Sequence, residues 1–428
     1  MSKFYSILVI LILLFSFNLF LFNSYGMPYS NLIYQQKIII FNNQNVSTPN
    51  PYQQEITLNE TEYNGSLIYN GNFANFEFTY ENGSVIPSWI QENNSNNLII
   101  WLKLDSINAF SSITIYLDIF SKDFNMLGNG IGEAPGLTSI YGEYDNGNSV
   151  FTVYINGNTP LSDFTVQPSF NLSRTVNGYL NLTGMSAWSG NGDIAFRYDK
   201  VTLPSYYSYV AVGYGKWWSN NTTGDTDIVS LIQTNASIYT NAIGLEGIPG
   251  AIYNVNQQFG IDLFLNGTFH EGLDTKGVAG HNWVYGSITY IAGASNFTAY
   301  AYSGNQSYSV SYSNTLIKSN LSYYNIYLGV IGDEAWYPNE PMKPAYAWYQ
   351  YLYVRSITKN NIMPEVELDS SLIGIENQSQ NSETVNLVFN SQFFSFNIDQ
   401  TFLIYFILII AVVFIVFMGI ASVIKRGR

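Results

Sequence analysis

Two carboxylates spaced two residues apart are the first candidates for chemistry in this chain. On a strand, Glu143 and Asp145 would share one face, because side chains there alternate. Glycoside hydrolysis needs such a pair facing one cleft, one group as acid and the other as nucleophile or base. A polar loop joining two domains is the other reading of the same stretch. Asp225 and Asp227, close after Asn220 and Asn221, could offer oxygen ligands to calcium, but the run matches no EF-hand loop. Sugar binding asks for exposed aromatic platforms beside short polar groups. Trp217 and Trp218 beside Asn220, and Trp336 and Tyr337 after Asp333, supply both. Neighbouring aromatics on a strand point to opposite faces, so one of each pair is expected outside and the other in a core.

Composition limits what these residues can do. The chain has 428 residues, 16 Lys+Arg against 30 Asp+Glu, a net charge of −14 and no cysteine. Net acidity without basic clusters argues against nucleic acid as a partner. Without cysteine there is no disulfide framework, thiolate catalysis or Cys-held metal. The two histidines, His270 and His281, cannot make a three-histidine metal site within one chain. Charged residues are 11% of the chain, against roughly 25% in ordinary domains. Sparse cations limit self-repulsion when carboxylates neutralise in acid, which suggests an acidic outside medium and an acidophilic archaeal source.

The ends predict the topology. Residues 1–26 read as a secretory signal, with Lys3, an apolar run and Ser24-Tyr25-Gly26 as a cleavage site. Residues 401–424 read as a transmembrane helix, since Phe402–Ile424 carries no charge and can span a ~30 Å hydrocarbon core. Lys425, Arg426 and Arg428 place the tail, 425–428, in the cytoplasm and the body outside. N-x-S/T sequons agree with exposure. They stand at Asn45, Asn59, Asn64, Asn82, Asn93, Asn171, Asn181, Asn220, Asn221, Asn235, Asn266, Asn296, Asn305, Asn320 and Asn377.

Between the ends, short alternating runs rich in Tyr, Ile, Val and Phe are punctuated by Gly, Asn and Ser. Ile113–Leu117, Ala299–Tyr302 and Tyr308–Tyr312 read as strands, and Asn177-Gly178 as a hairpin turn. The glycines and proline of 123–136 mark a linker, dividing a module at 30–122 from one at 137–366. A Ser-, Asn- and Gln-rich stretch at 367–400 reads as a stalk or docking strand.

The first module resembles the DUF2341 family. The resemblance runs through Tyr34–Ile40, then Phe76–Gln91 with its Pro87-Ser88-Trp89-Ile90 phrase, then Ile99–Ile107 and Ile113–Phe120. It departs where the family's loop aspartates become Glu81 and Asn82. The second module is similar to concanavalin-like jelly rolls at its two ends, Tyr141–Gly147 and Trp348–Arg355. That likeness implies a lectin- or glucanase-type shape. The jelly-roll catalytic pattern has a third acid after the pair, where this chain has Gly147 and Asn148.

The expectation is an all-β protein of two antiparallel sandwich or jelly-roll modules, with a signal segment and one membrane helix. It would be a glycosylated, membrane-anchored surface protein binding carbohydrate or other envelope proteins, or building the envelope itself. An extracellular glycosidase on the second module is the alternative. No cofactor is expected beyond calcium at the aspartates.

Overall fold

The structure, a computed structural model, describes residues 31–59, 63, 73–94, 97–166, 170–184, 345–359 and 361–375, and between 196 and 328 the strands named below. The chain divides into two units, Met1–Ile373 and Gly374–Arg428. The expected signal, membrane helix and tail lie outside the described residues, as does 376–400. Among the described residues no helix is long and apolar enough to cross a membrane.

Seven strands open the chain: β1 (Leu32–Asn42), β2 (Tyr52–Asn59), β3 (Phe76–Tyr80), β4 (Ser88–Asn94), β5 (Asn97–Leu104), β6 (Ser111–Phe120) and β7 (Ile131–Glu133). A one-turn helix, α1 (Gly147–Val150), follows. Next come β8 (Val153–Asn156), β9 (Phe164–Val166), β10 (Phe170–Arg174), β11 (Leu180–Gly184), β12 (Phe196–Leu203), β13 (Tyr207–Lys216), β14 (Thr226–Ile232), β15 (Asn241–Ile248) and β16 (Gln258–Leu265). The last are β17 (Thr268–His270), β18 (Thr275–Lys276), β19 (Trp283–Tyr290), β20 (Asn296–Ser303), β21 (Gln306–Ser313), β22 (Tyr324–Leu328), β23 (Ala345–Ser356) and β24 (Glu365–Gly374).

Four sheets result. Two are four-stranded, in the orders β24-β1-β6-β3 and β2-β5-β4-β7. Two are eight-stranded: β10-β11-β23-β13-β19-β20-β21 with β8 added on β23, and β17-β16-β15-β14-β22-β12-β9 with β18 added on β16. The strands expected at 113–117, 299–302 and 308–312 fall within β6, β20 and β21. Within the expected linker, β7 pairs in parallel with β4, matching Ser88 to Ile131 and Ile90 to Glu133. β24 begins in the expected second module, runs into the expected stalk and lies beside β1.

Alternation explains the small sheets. Ile38 and Ile40 of β1 stand opposite Ile115 and Ile113 of β6, and Phe76 and Phe78 of β3 opposite Ile119 and Leu117. Seven of these eight are buried, Ile113 being half-buried; Leu98, Ile100 and Leu102 of β5 add further buried apolar side chains. Trp89 and Trp101, paired across β4 and β5, point to the opposite face. There they meet Phe151, Tyr351 and Tyr353, so the second small sheet is covered on both sides. Trp89 has its ring edge-on to Phe151 at 5.2 Å and to Tyr351 at 5.0 Å, while Phe151 stacks on Tyr353 at 3.9 Å.

Turn chemistry follows the sequence. At Asn82-Gly83, Gly83 adopts φ +78° and its N–H donates to the Tyr80 carbonyl at 2.8 Å. The expected hairpin at Asn177-Gly178 joins β10 to β11, with Gly178 at φ +89°. That hairpin is held close to the loop after β8. A Cβ added at Gly157 would come within 1.6 Å of the Gly178 carbonyl oxygen, which is backbone and cannot swing away. Gly157→Ala is therefore expected to lower unfolding stability by at least about 1–3 kcal/mol, measured by denaturant titration.

Candidate functional site

A cleft of about 460 Å³ opens where the end of β7 meets the turns on either side of it. Ile90 comes from β4 and Glu133 from β7. Asn125 and Leu127 come from the turn before β7, and Leu137, Thr138, Ser139, Glu143 and Tyr144 from the turns after it. Backbone hydrogen bonds set these pieces together: Ala134 N–H donates to Ile90 at 2.8 Å, and Glu133 N–H to Tyr144 at 3.1 Å. Gly132 permits the close approach, since a Cβ there would sit 1.9 Å from Asn146 Oδ1. Glu133 is 4% exposed, whereas Glu143 is open to solvent. Burial pushes the Glu133 carboxyl above its usual range; the Thr138 side chain opposes this, and the charges of Asp145 and Glu143 reinforce it.

The structure separates the two acids that the sequence paired. Residues 141–144 form turns rather than a strand, so alternation does not apply to Glu143 and Asp145. Gly142 at φ +68° and the start of α1 bend the chain here. Glu143 faces the cleft with Glu133 as its companion. Asp145 instead accepts from Trp89 Nε1 at 2.9 Å, Gly147 N at 3.0 Å, Tyr154 OH at 2.8 Å and Asn156 Nδ2 at 2.6 Å. Such a carboxylate is occupied in structure. Burial still raises its pKa against these four donors. Glu133 has no distinguishing mark in the sequence, because the glycines and proline around it read as a linker. Gly130 and Gly132, alternating just before it, were the available sign of close packing.

A second pair of acids has no local mark in the sequence. Glu77 of β3 stands directly opposite Asp118 of β6, on the face away from the isoleucine core. They are 8% and 1% exposed. Asp118 accepts from Gln35 Nε2 and Thr79 Oγ1, each at 2.7 Å. Glu77 lies against Gly130, where a Cβ would meet its Oε1 at 2.6 Å. Burial and the Asp118 charge raise the Glu77 pKa to about 7, and burial raises that of Asp118 against its two hydrogen bonds.

Trp217, Trp218, Trp336, Tyr337 and Asp225 lie outside the described residues, and Asp227 is placed on β14 by its backbone alone. Among the described residues no three Asp, Glu, His or Cys side chains converge as a metal group. Of the sequon asparagines, Asn45, Asn59, Asn82 and Asn171 are exposed. Asn181 is half-buried and donates to Ser173 Oγ at 3.1 Å. Asn93 and Asn296 lie on β4 and β20. Asn64, Asn220, Asn221, Asn235, Asn266, Asn305, Asn320 and Asn377 are outside the described residues.

No protein-family model matches the chain, so the DUF2341 resemblance rests on the quoted strands. The chain is 30% identical over 345 residues to "Uncharacterized protein 562" of Sulfolobus islandicus rod-shaped virus 1, covering 76% of this chain. It spans 57% of the length of that relative. Among solved structures, it is similar to a Bauhinia forficata lectin in complex with GalNAc (10% identity, 48% of this chain and 98% of the lectin, TM-score 0.32). It is also similar to lectin I of Ulex europaeus in complex with the methyl glycoside of α-L-fucose (14%, 48% and 97%, TM-score 0.31). Bacillus licheniformis β-glucanase gives 14%, 48% and 97%, with a TM-score of 0.31. TM-scores below 0.5 do not establish a shared fold.

The Glu77–Asp118 pair has a consequence for pH. Both folded-state pKa values lie above the unfolded ones, near 4. Their contribution to stability is thus complete below about pH 4 and is lost as pH rises through the folded values, about 7 for Glu77. Thermal unfolding is expected several degrees higher at pH 4 than at pH 8, and Glu77→Gln should reduce that difference. Unfolding at pH 3 at moderate temperature, or a midpoint that rises from pH 4 to pH 8, would contradict the expectation.

Proposed function

We propose that this is a membrane-anchored, glycosylated surface protein that binds carbohydrate in the cleft beside β4 and β7. The observation that carries the reading is the cleft's lining. Carboxylate, amide and hydroxyl groups from Glu133, Glu143, Asn125, Thr138 and Ser139 line it together with an aromatic residue, Tyr144, and the apolar Leu137. Sugar hydroxyls need such acceptors and donors, and a sugar's apolar face needs a surface to rest on. Anchoring is supported by the uncharged run at 401–424 and the basic residues after it. Glycosylation is supported by the exposure of four sequon asparagines, Asn45, Asn59, Asn82 and Asn171. The two eight-stranded antiparallel sheets support a concanavalin-like jelly roll for the second module. Envelope glycans or glycosylated neighbours are the partners this reading implies.

Glycoside hydrolysis is the second reading, carried by Glu133 and Glu143 lining one cleft. Burial favours the protonated form of Glu133, as a general acid requires. Glu143, open to water, would serve as base or nucleophile. A glycan array and a hydrolysis screen on the full-length protein test both readings. Binding without hydrolysis is expected, with Tyr144→Ala lowering affinity at least tenfold, about 1.4 kcal/mol. Failure to bind any glycan would overturn the binding reading. Bond cleavage lost in Glu133→Gln would establish the second.

A further inference from the structure

The cleft contains an unfinished polar contact. Glu133 is 4% exposed, yet its Oε1 is shut off from water without a hydrogen-bond partner. Buried carboxylate oxygens are ordinarily paired. Among the described residues no Lys or Arg lines the cleft to answer Glu133 and Glu143, and the charge of Asp145 adds to theirs. The neighbouring ligand atoms are all oxygens of the hard kind: the Thr138 and Ser139 hydroxyls and the Asn125 amide. Asn125 Oδ1 already accepts from Leu127 N at 3.0 Å and keeps a second lone pair.

We propose that the cleft holds a divalent cation, calcium by its oxygen chemistry, between the carboxylates of Glu133 and Glu143. Calcium takes six to eight oxygens in flexible geometry, so two carboxylates can be completed by hydroxyl, amide and water oxygens. Among the described residues no third Asp, Glu, His or Cys joins the two carboxylates, so the remaining positions fall to those neutral oxygens. The cation would supply the missing partner of Oε1 and bring the opposing turns of the cleft together. Its ligands are other residues than Asp225 and Asp227, the calcium candidates of the sequence. It also goes beyond the carbohydrate reading, because its probe is calcium alone and either can fail without the other.

The test is calorimetric titration of calcium chloride into chelator-stripped full-length protein at neutral pH, with circular dichroism to confirm folding. Saturable binding is expected in the unaltered protein. Glu133→Gln and Glu143→Gln should each weaken it at least tenfold, while the double variant Asp225→Asn, Asp227→Asn should not. Glu143 is solvent-exposed, so its variant keeps the test decisive if Glu133→Gln misfolds. No saturable binding, or binding untouched by Glu143→Gln, would overturn the site.

Discussion

A buried indole N–H must have an acceptor, and the acceptor chosen for Trp89 shapes much of what surrounds it. Trp89 is fully buried on β4, and its Nε1 donates to Asp145, 56 residues further along. The same carboxylate takes hydrogen bonds from Tyr154 and Asn156 around β8. One acid therefore ties the second small sheet to the first elements of the region that carries the large sheets. The aromatic rings of Phe151, Tyr351 and Tyr353 pack against the Trp89 ring. Losing the acceptor would leave the buried indole N–H of Trp89 without its partner, which is why the contact constrains its neighbourhood.

The cleft follows from that constraint. Because Asp145 turns inward to Trp89, the turn before it directs Glu143 outward, toward Glu133. The two acids of one short stretch thus serve opposite purposes. Asp145 is saturated by donors, whereas Glu133 keeps an oxygen with none. Spare bonding capacity of this kind is where a ligand can gain more than water offers. Carbohydrate hydroxyls and a hard cation both match it, and the two can share one site because each uses oxygen chemistry.

Much of the architecture was legible in the chain. Alternating runs gave β6, β20 and β21, and Asn-Gly pairs gave the turns at Gly83 and Gly178, because period-two burial and positive φ leave local marks. The site was legible only in fragments. Glu143 stands out by its spacing from Asp145, but spacing has meaning only on a strand, and Gly142 bends the chain away. Glu133 and the Glu77–Asp118 pair depend on strands meeting across tens of residues, and no local pattern encodes such a meeting.

Trp89 and Asp145 act as one bonded pair. A double-mutant cycle of Trp89→Phe and Asp145→Asn, followed by denaturant unfolding, measures it directly. A coupling energy of about 1–3 kcal/mol between the two positions is expected. Losses that simply add, with coupling near zero, would contradict it.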